Sequence, residues 1–218
     1  MKGFRAPLLL LSLAALAGCT HAIPLKPALD RPAGVQQVPL AVGVYYSAEF
    51  REYRHVGSRM GDQWDFALGP ASVKLLDAAL PMIFESIVPV PGKPPLAGGP
   101  GKLAAVLEPT IEEFDFSLPF LKTGTYSAEI AYRFTLFSPA GEPLAAWSVR
   151  GRGDKPGQVG FEFARWPGEA TDLAMQEAAT KLVQGFREVP EVSVWLRRLG
   201  VPGAGRPPEP PGGVARRE

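Results

Sequence analysis

Residues 125–137, TYSAEIAYRFTLF, alternate almost without a break: Ile130, Tyr132, Phe134 and Leu136 point one way, and Glu129, Arg133 and Thr135 the other. Period two with one apolar and one polar set is the signature of a strand buried on one face and wet on the other. A turn of five residues, Ser138-Pro139-Ala140-Gly141-Glu142, leads to Leu144–Arg152, where Trp147 and Val149 share a face. The pair predicts a β-hairpin. An apolar sheet face must be covered by another layer, so the rest of the chain has to supply one.

Two helices are available for that layer. Pro70 opens a segment in which Val73, Leu76, Leu80, Ile83, Phe84 and Ile87 recur at i, i+3, i+4 and i+7, which predicts an amphipathic helix over 70–87 with a kink at 77–81 from Pro81. A second helix is expected over 168–187, with Ala170, Leu173, Ala174, Ala178, Leu182, Val183 and Phe186 inward; its many alanines imply close packing on a sheet. Val38, Leu40, Val42, Val44 and Tyr46 alternate as a strand, and Pro39 near its start implies an edge or the first ladder position. Leu103, Ala105, Leu107, Ile111, Phe114 and Phe116 form a longer strand, bent or bulged at Pro109. Residues 47–69 read as a loop with one short strand at 63–67, residues 89–101 and 153–167 as loops rich in Gly and Pro, and residues 192–196 as a last short strand or turn.

The expected fold is α+β: a mostly antiparallel sheet with two helices packed on one face, in the order β-α-β-β-β-α, with long Gly/Pro-rich loops. One domain is expected over 38–199, preceded by a flexible tether at 19–37 and followed by a disordered tail at 200–218. The uncovered sheet face is the natural place for a partner.

The charge is +1 in 218 residues, so no basic field draws in nucleic acid. One cysteine and two histidines argue against the common zinc sites, and no cofactor is expected. Gly98-Gly99-Pro100-Gly101-Lys102 is not a phosphate loop, because Leu96 and Leu103 stand where Gly and Ser or Thr are required and a strand follows in place of a helix. His55 could form a hydrolytic site with Ser47 or Ser58 and Asp62 or Asp65, but no serine sits in a nucleophile elbow. Glu113 and Asp115, with Glu108 and Glu112 nearby, could act as acid and base; a solvated strand face explains them better. The catalytic expectation is therefore none. Phe116, Phe120, Phe161, Phe163 and Trp166 are aromatics in or beside loops, and are the candidate partner-binding residues.

The N-terminus carries the sharpest motif. Lys2 and Arg5 precede an apolar run over 6–17, too short to span a bilayer, which ends in Leu16-Ala17-Gly18-Cys19. This matches the lipobox of bacterial lipoproteins at all four positions, and the chain resembles small α/β envelope lipoproteins of proteobacteria. That class includes domains shared by curli-secretion and penicillin-binding-protein-activator lipoproteins, and the lipopolysaccharide-assembly lipoprotein. The resemblance implies cleavage between Gly18 and Cys19 after a signal peptide at 1–18, and acylation of Cys19 on its sulfur and its new amino group. Removal of Lys2 and Arg5 then changes the net charge from +1 to −1. Thr20, where Asp would favour the inner membrane, implies the periplasmic face of the outer membrane. The functional expectation is a non-enzymatic binding or accessory component of envelope assembly or transport, touching the membrane through the lipid on Cys19 and an envelope protein partner. The alternative is a small-molecule or lipid carrier with a groove between helix 70–87 and the sheet, lined by Leu76, Leu80, Phe84 and Phe134.

Overall fold

A computed structural model describes residues 20–96, 101–120, 123–158 and 164–202. The elements run β1 (Thr20–Ile23), β2 (Val38–Val44), α1 (Ala48–Glu52), β3 (His55–Arg59), β4 (Asp62–Phe66), α2 (Leu68–Ile83), β5 (Phe84–Pro89), β6 (Ala105–Ser117), β7 (Thr123–Phe137), β8 (Pro143–Gln158), α3 (Arg165–Gly185) and α4 (Pro190–Arg198). The fold is α+β. A five-stranded sheet has the order β5-β2-β6-β7-β8, and a smaller sheet the order β1-β4-β3.

The expected hairpin is the antiparallel pair β7–β8, closed at Gly141, whose positive φ of 98° suits glycine. Its alternation places Tyr126, Ala128, Ile130, Tyr132, Phe134 and Leu136 in the core. β8 continues through residues expected to be a loop, to Gln158. β6 pairs antiparallel with β7 and carries a register shift between Ile111 and Glu113. Pro109 sits inside β6 without breaking it. Its missing N–H lies on the side of β2, and β2 pairs with β6 only through Leu107, with Tyr45 adding one bond to the Leu107 carbonyl.

β2 is an inner strand rather than an edge: it pairs parallel with both β5 and β6. Pro39 is accommodated by a register shift between Val38 and Ala41. The parallel partner β5 comes from chain that the apolar spacing assigned to the helix. α2 stops at Ile83, and Phe84 turns extended with its N–H on the Leu80 carbonyl. Phe84 is buried as expected, but as the first residue of a strand, and Ile87 belongs to that strand too. Pro81 lies exposed within the last turn of α2.

The chain over 192–196 is helical. Pro190 occupies the first turn of α4, and Val192, Trp195 and Leu196 are all buried, a spacing of three and four. Trp195 therefore shares the face of Val192 and Leu196 rather than opposing it. Gly200 follows with φ 70°, and Val201 N–H bonds to the Leu196 carbonyl, so residues 200–202 finish a helix cap. The remainder of the expected tail, 203–218, lies outside the described residues.

The segment expected as a tether is built into the body. β1 pairs parallel with β4 from Thr20↔Gln63 to Ile23↔Phe66. Ile23 is buried, and Leu25, Leu29 and Val35 pack against the core. The physical reason is that the scattered apolar residues of 20–37 have no period of their own; each is placed by a partner elsewhere in the chain.

The helices and the small sheet cover one face of the large sheet. α3 lies so close to β8 that a Cβ on Gly151 or Gly153 would strike the backbone of Ala174 or Ala170. The expected alanine face thus meets a glycine face. Ser72 on α2 exchanges a 2.8 Å hydrogen bond with the buried Tyr132 hydroxyl.

Candidate functional site

His55, Ser47, Asp62 and Asp65, which could have contributed to a hydrolytic site, are each engaged elsewhere. His55 packs edge-on against Phe66, Phe114 and Phe116. Burial, and then the Arg59 charge, lower its pKa, with Asp115 opposing. Ser47 caps α1 by accepting the Phe50 N–H at 3.0 Å. Asp65 receives two nitrogens of Arg54, and Asp62 lies 3.5 Å from His21. Ser58 is exposed on β3. A shared nucleophile, base and orienting acid do not converge among these residues.

The uncovered face of the large sheet is a lattice of ion pairs. Arg150 meets Glu113 at 2.6 Å, and Arg152 bridges Glu129 and Asp154 at 2.9 and 3.1 Å. Ser148 donates to Glu112 at 2.6 Å, and this bond first, with Arg133 and Arg150 assisting, holds the Glu112 carboxyl below its usual range. Glu113 and Asp115 do share this face, as the alternation predicted. Each is matched with an arginine, Asp115 with Arg59 at 2.7 Å. The arrangement neutralises charge in pairs and resembles a solvated sheet surface rather than an acid–base dyad. Glu108 is tied to Lys93 at 2.7 Å.

The candidate aromatics divide. Phe116 is 2% exposed and packs between Phe66 and Trp64, so its ring belongs to the core and offers a partner nothing. Trp166 is half-buried in the first turn of α3, against Gly157 and with the Arg165 guanidinium 4.9 Å from its ring. Phe120 is 93% exposed. Phe161 and Phe163 lie outside the described residues, as do the cleavage-site residues Gly18 and Cys19.

Among the described residues, the side chains expected to line a carrier groove between α2 and the sheet do not face one. Leu76, Leu80, Phe84 and Phe134 are buried together in one core. Open clefts among the described residues lie elsewhere. One of about 290 Å³ is lined by Val35, Ile83, Val183, Phe186 and Arg187, and one of about 470 Å³ runs between β8 and the end of α3, past Trp147, Ser148, Lys181 and Val189. Arg187 uses its guanidinium to hold the carbonyls of Gln36, Gln37 and Pro202, so the first cleft is bordered by a clamp that joins the chain before β2 to the chain after α4.

The end of the molecule from which Thr20 departs has its own composition. β1 begins beside Gln63, and Thr20 Oγ donates to Gln63 Oε1 at 3.3 Å. Next to it is the tight turn joining β3 to β4, where Met60 and Gly61 both have positive φ, 56° and 89°. Arg59 at this turn reaches Asp115 and lies 4.9 Å from the Phe116 ring, so β6 ends at the same place. Phe120 follows four residues later. Sequence reasoning missed Met60 and β3. His55–Arg59 shows no apolar alternation because it is an edge strand whose half-buried face carries His55, Gly57 and Arg59 and whose exposed face carries Val56 and Ser58, and the Met-Gly pair was the only trace of its turn. Among the described residues, no group of three or more His, Cys, Asp or Glu side chains is placed to hold a metal ion, and no helix is long and apolar enough to cross a membrane.

No protein-family model matches the sequence, and no curated protein does. Solved structures with a similar arrangement include protein XCC0632 from Xanthomonas campestris, of the family described as DUF330. It is 13% identical, with 83% of this chain and 98% of that chain covered and a TM-score of 0.48. A minor lipoprotein from Acinetobacter baumannii is 9% identical, with 69% and 92% covered and a TM-score of 0.39. Similarity this distant assigns neither a family nor a function to the chain.

Proposed function

We propose that the chain is a lipoprotein of the bacterial envelope, anchored through Cys19 on the periplasmic face of the outer membrane, and that it serves as a non-enzymatic binding or accessory component in envelope assembly or transport. The observation that carries this reading is the lipobox Leu16-Ala17-Gly18-Cys19 followed at once by Thr20, the first residue of a strand built into the folded body. Several acyl chains on one residue anchor a protein stably where one chain binds only reversibly. The paired charges on the open sheet face and the separate engagement of His55, Ser47, Asp62 and Asp65 favour binding over catalysis.

Crosslinking in cells, followed by affinity capture from fractionated envelopes and mass spectrometry, tests it, with Cys19→Ala as the unanchored control. The expected result is recovery of the wild type with outer-membrane vesicles and enrichment of one envelope protein that the variant does not capture. Equal, soluble behaviour of wild type and variant removes the anchor. Anchoring without any captured partner removes the accessory role.

A further inference from the structure

We infer that the end of the molecule formed by the β3–β4 turn and the chain after β6 rests in the membrane surface, with Met60 and Phe120 entering the lipid interface. The inference rests on the lipid-anchor reading. It adds an orientation and a second, non-covalent contact with lipid.

Three observations meet here. First, the anchor has no slack: Cys19 precedes Thr20 directly, and Thr20 is already paired with Gln63, so an acylated Cys19 is one peptide unit, about 3.8 Å, from a fixed strand. The membrane surface therefore lies against this end of the small sheet. Second, Phe120 and Met60 are the two most exposed large apolar side chains among the described residues, at 93% and 68%; Met60 lies in the turn itself and Phe120 three residues beyond the end of β6. Val56, at 57%, stands on the strand that leads into the turn. Third, the acid nearest the turn on β6, Asp115, is neutralised by Arg59 at 2.7 Å, which removes a repulsion from anionic headgroups. An exposed aromatic and an exposed thioether side chain suit the boundary between headgroups and acyl chains, where burial of apolar area gives affinity without a spanning helix. A protein partner could cover the same residues. The anchor favours lipid as the occupant, because it holds this end at the bilayer whether or not a partner is present.

The far end of the sheet provides an internal control. Val88 is also exposed, at 40%. It pairs with Gly43, which is level with Val106, eleven residues along β6 from Ser117, or about 35 Å at the rise of a strand.

The test uses full-length, lipidated protein in vesicles of phosphatidylethanolamine and phosphatidylglycerol that contain a doxyl-labelled phospholipid. Because the acyl group occupies Cys19, the variants Met60→Cys, Phe120→Cys and Val88→Cys each offer one thiol for an environment-sensitive fluorophore. The expected result is quenching at 60 and 120 at least twofold stronger than at 88. Equal quenching at all three positions overturns the orientation, as does quenching confined to 88. The mass of the N-terminal peptide is read on the same samples. A peptide without the diacylglyceryl group removes the anchor reading, and the inference with it; an acylated peptide with equal quenching removes the orientation alone. Thermal melts of each labelled variant, matched to wild type, establish that a negative result comes from folded protein.

Discussion

Asp172 on α3 accepts the backbone N–H of Lys26 at 2.9 Å, and is thereby one of the residues that fix the N-terminal segment to the body. Burial is the main reason its carboxyl titrates at about 6 rather than 3.8; Glu169 adds to the rise, and the bond from Lys26 and the Lys26 charge oppose it. Between those two pH values the folded chain holds a proton that the unfolded chain has already released. Stability contributed by this group therefore falls as pH rises from 3.8 to about 6, and is constant above that. Asp172→Asn keeps the shape and the acceptor but has no charge to bury. The variant is expected to melt with wild type near pH 4 and to be more stable at pH 7, by roughly 1–2 kcal/mol once solvent screening is allowed for. Paired melts across the window measure it, and a constant difference at all pH values contradicts the assignment. Residue-scale burial of this kind was not legible in the sequence. Phe116 and Phe120 looked alike as aromatics beside a proline, yet one is in the core and the other is almost fully exposed. The difference is that β6 ends between them, and only the pairing with β7 sets where it ends.

At the scale of elements, the outer edge of β8 is the part most in need of protection. It is a sixteen-residue edge strand, and an unpaired edge of that length invites pairing with another chain. α3 supplies partners for it. Glu177 accepts the Arg152 N–H at 2.5 Å, and Lys181 donates to the Arg150 carbonyl at 3.0 Å, while the Gly151 and Gly153 seam lets the helix approach. The double variant Glu177→Ala/Lys181→Ala leaves both backbone groups without these partners. It is expected to lose about 1–2 kcal/mol and to self-associate with increasing concentration, read by sedimentation velocity. A variant that stays monodisperse and fully stable shows the edge to be guarded by the closeness of the helix alone. The sequence carried much at this scale. The β7–β8 hairpin, both long helices and the small-residue face of α3 were all visible, because each has a strong period of its own. What it hid were elements whose identity depends on a neighbour. β5 continues the apolar spacing of α2, and becomes a strand because β2 offers it an edge to pair with. α4 is short enough that Val192, Val194 and Leu196 fit period two as well as Val192, Trp195 and Leu196 fit a helix, and burial of Trp195 decides between them.

The molecule as a whole is held together by the chain before β2. Residues 20–37 cross from the small sheet over α3 to β2, and four kinds of attachment hold them: the pairing of β1 with β4, the Asp172 bond to Lys26, the close seat of Gly168 under the Pro24 carbonyl, and the Arg187 clamp on Gln36 and Gln37. Gln37 adds a bond from its side chain to the Pro81 carbonyl at 2.6 Å. Arg187 also holds Pro202, so one guanidinium ties the chain just before β2 to the cap after α4. A spacer would behave differently: it could be shortened or removed without cost to the body. Here, removal of residues 20–37 uncovers one edge of β4 and the core surface that Ile23 covers, and takes away the partial cover given by Leu25, Leu29 and Val35. At the usual value of apolar burial this amounts to roughly 4–6 kcal/mol, or a fall of about 10–20 °C in Tm for a chain of this size. A chain beginning at Val38 should therefore melt well below one beginning at Thr20, and hydrogen exchange should accelerate first in β4, which loses its β1 partner, and in β3 behind it. Identical melting of the two chains returns the segment to the role of a tether and, with it, frees the folded body from any fixed orientation at the membrane. On the proposed anchoring at Cys19, a force on the lipid would be passed to β4 through four consecutive strand pairs.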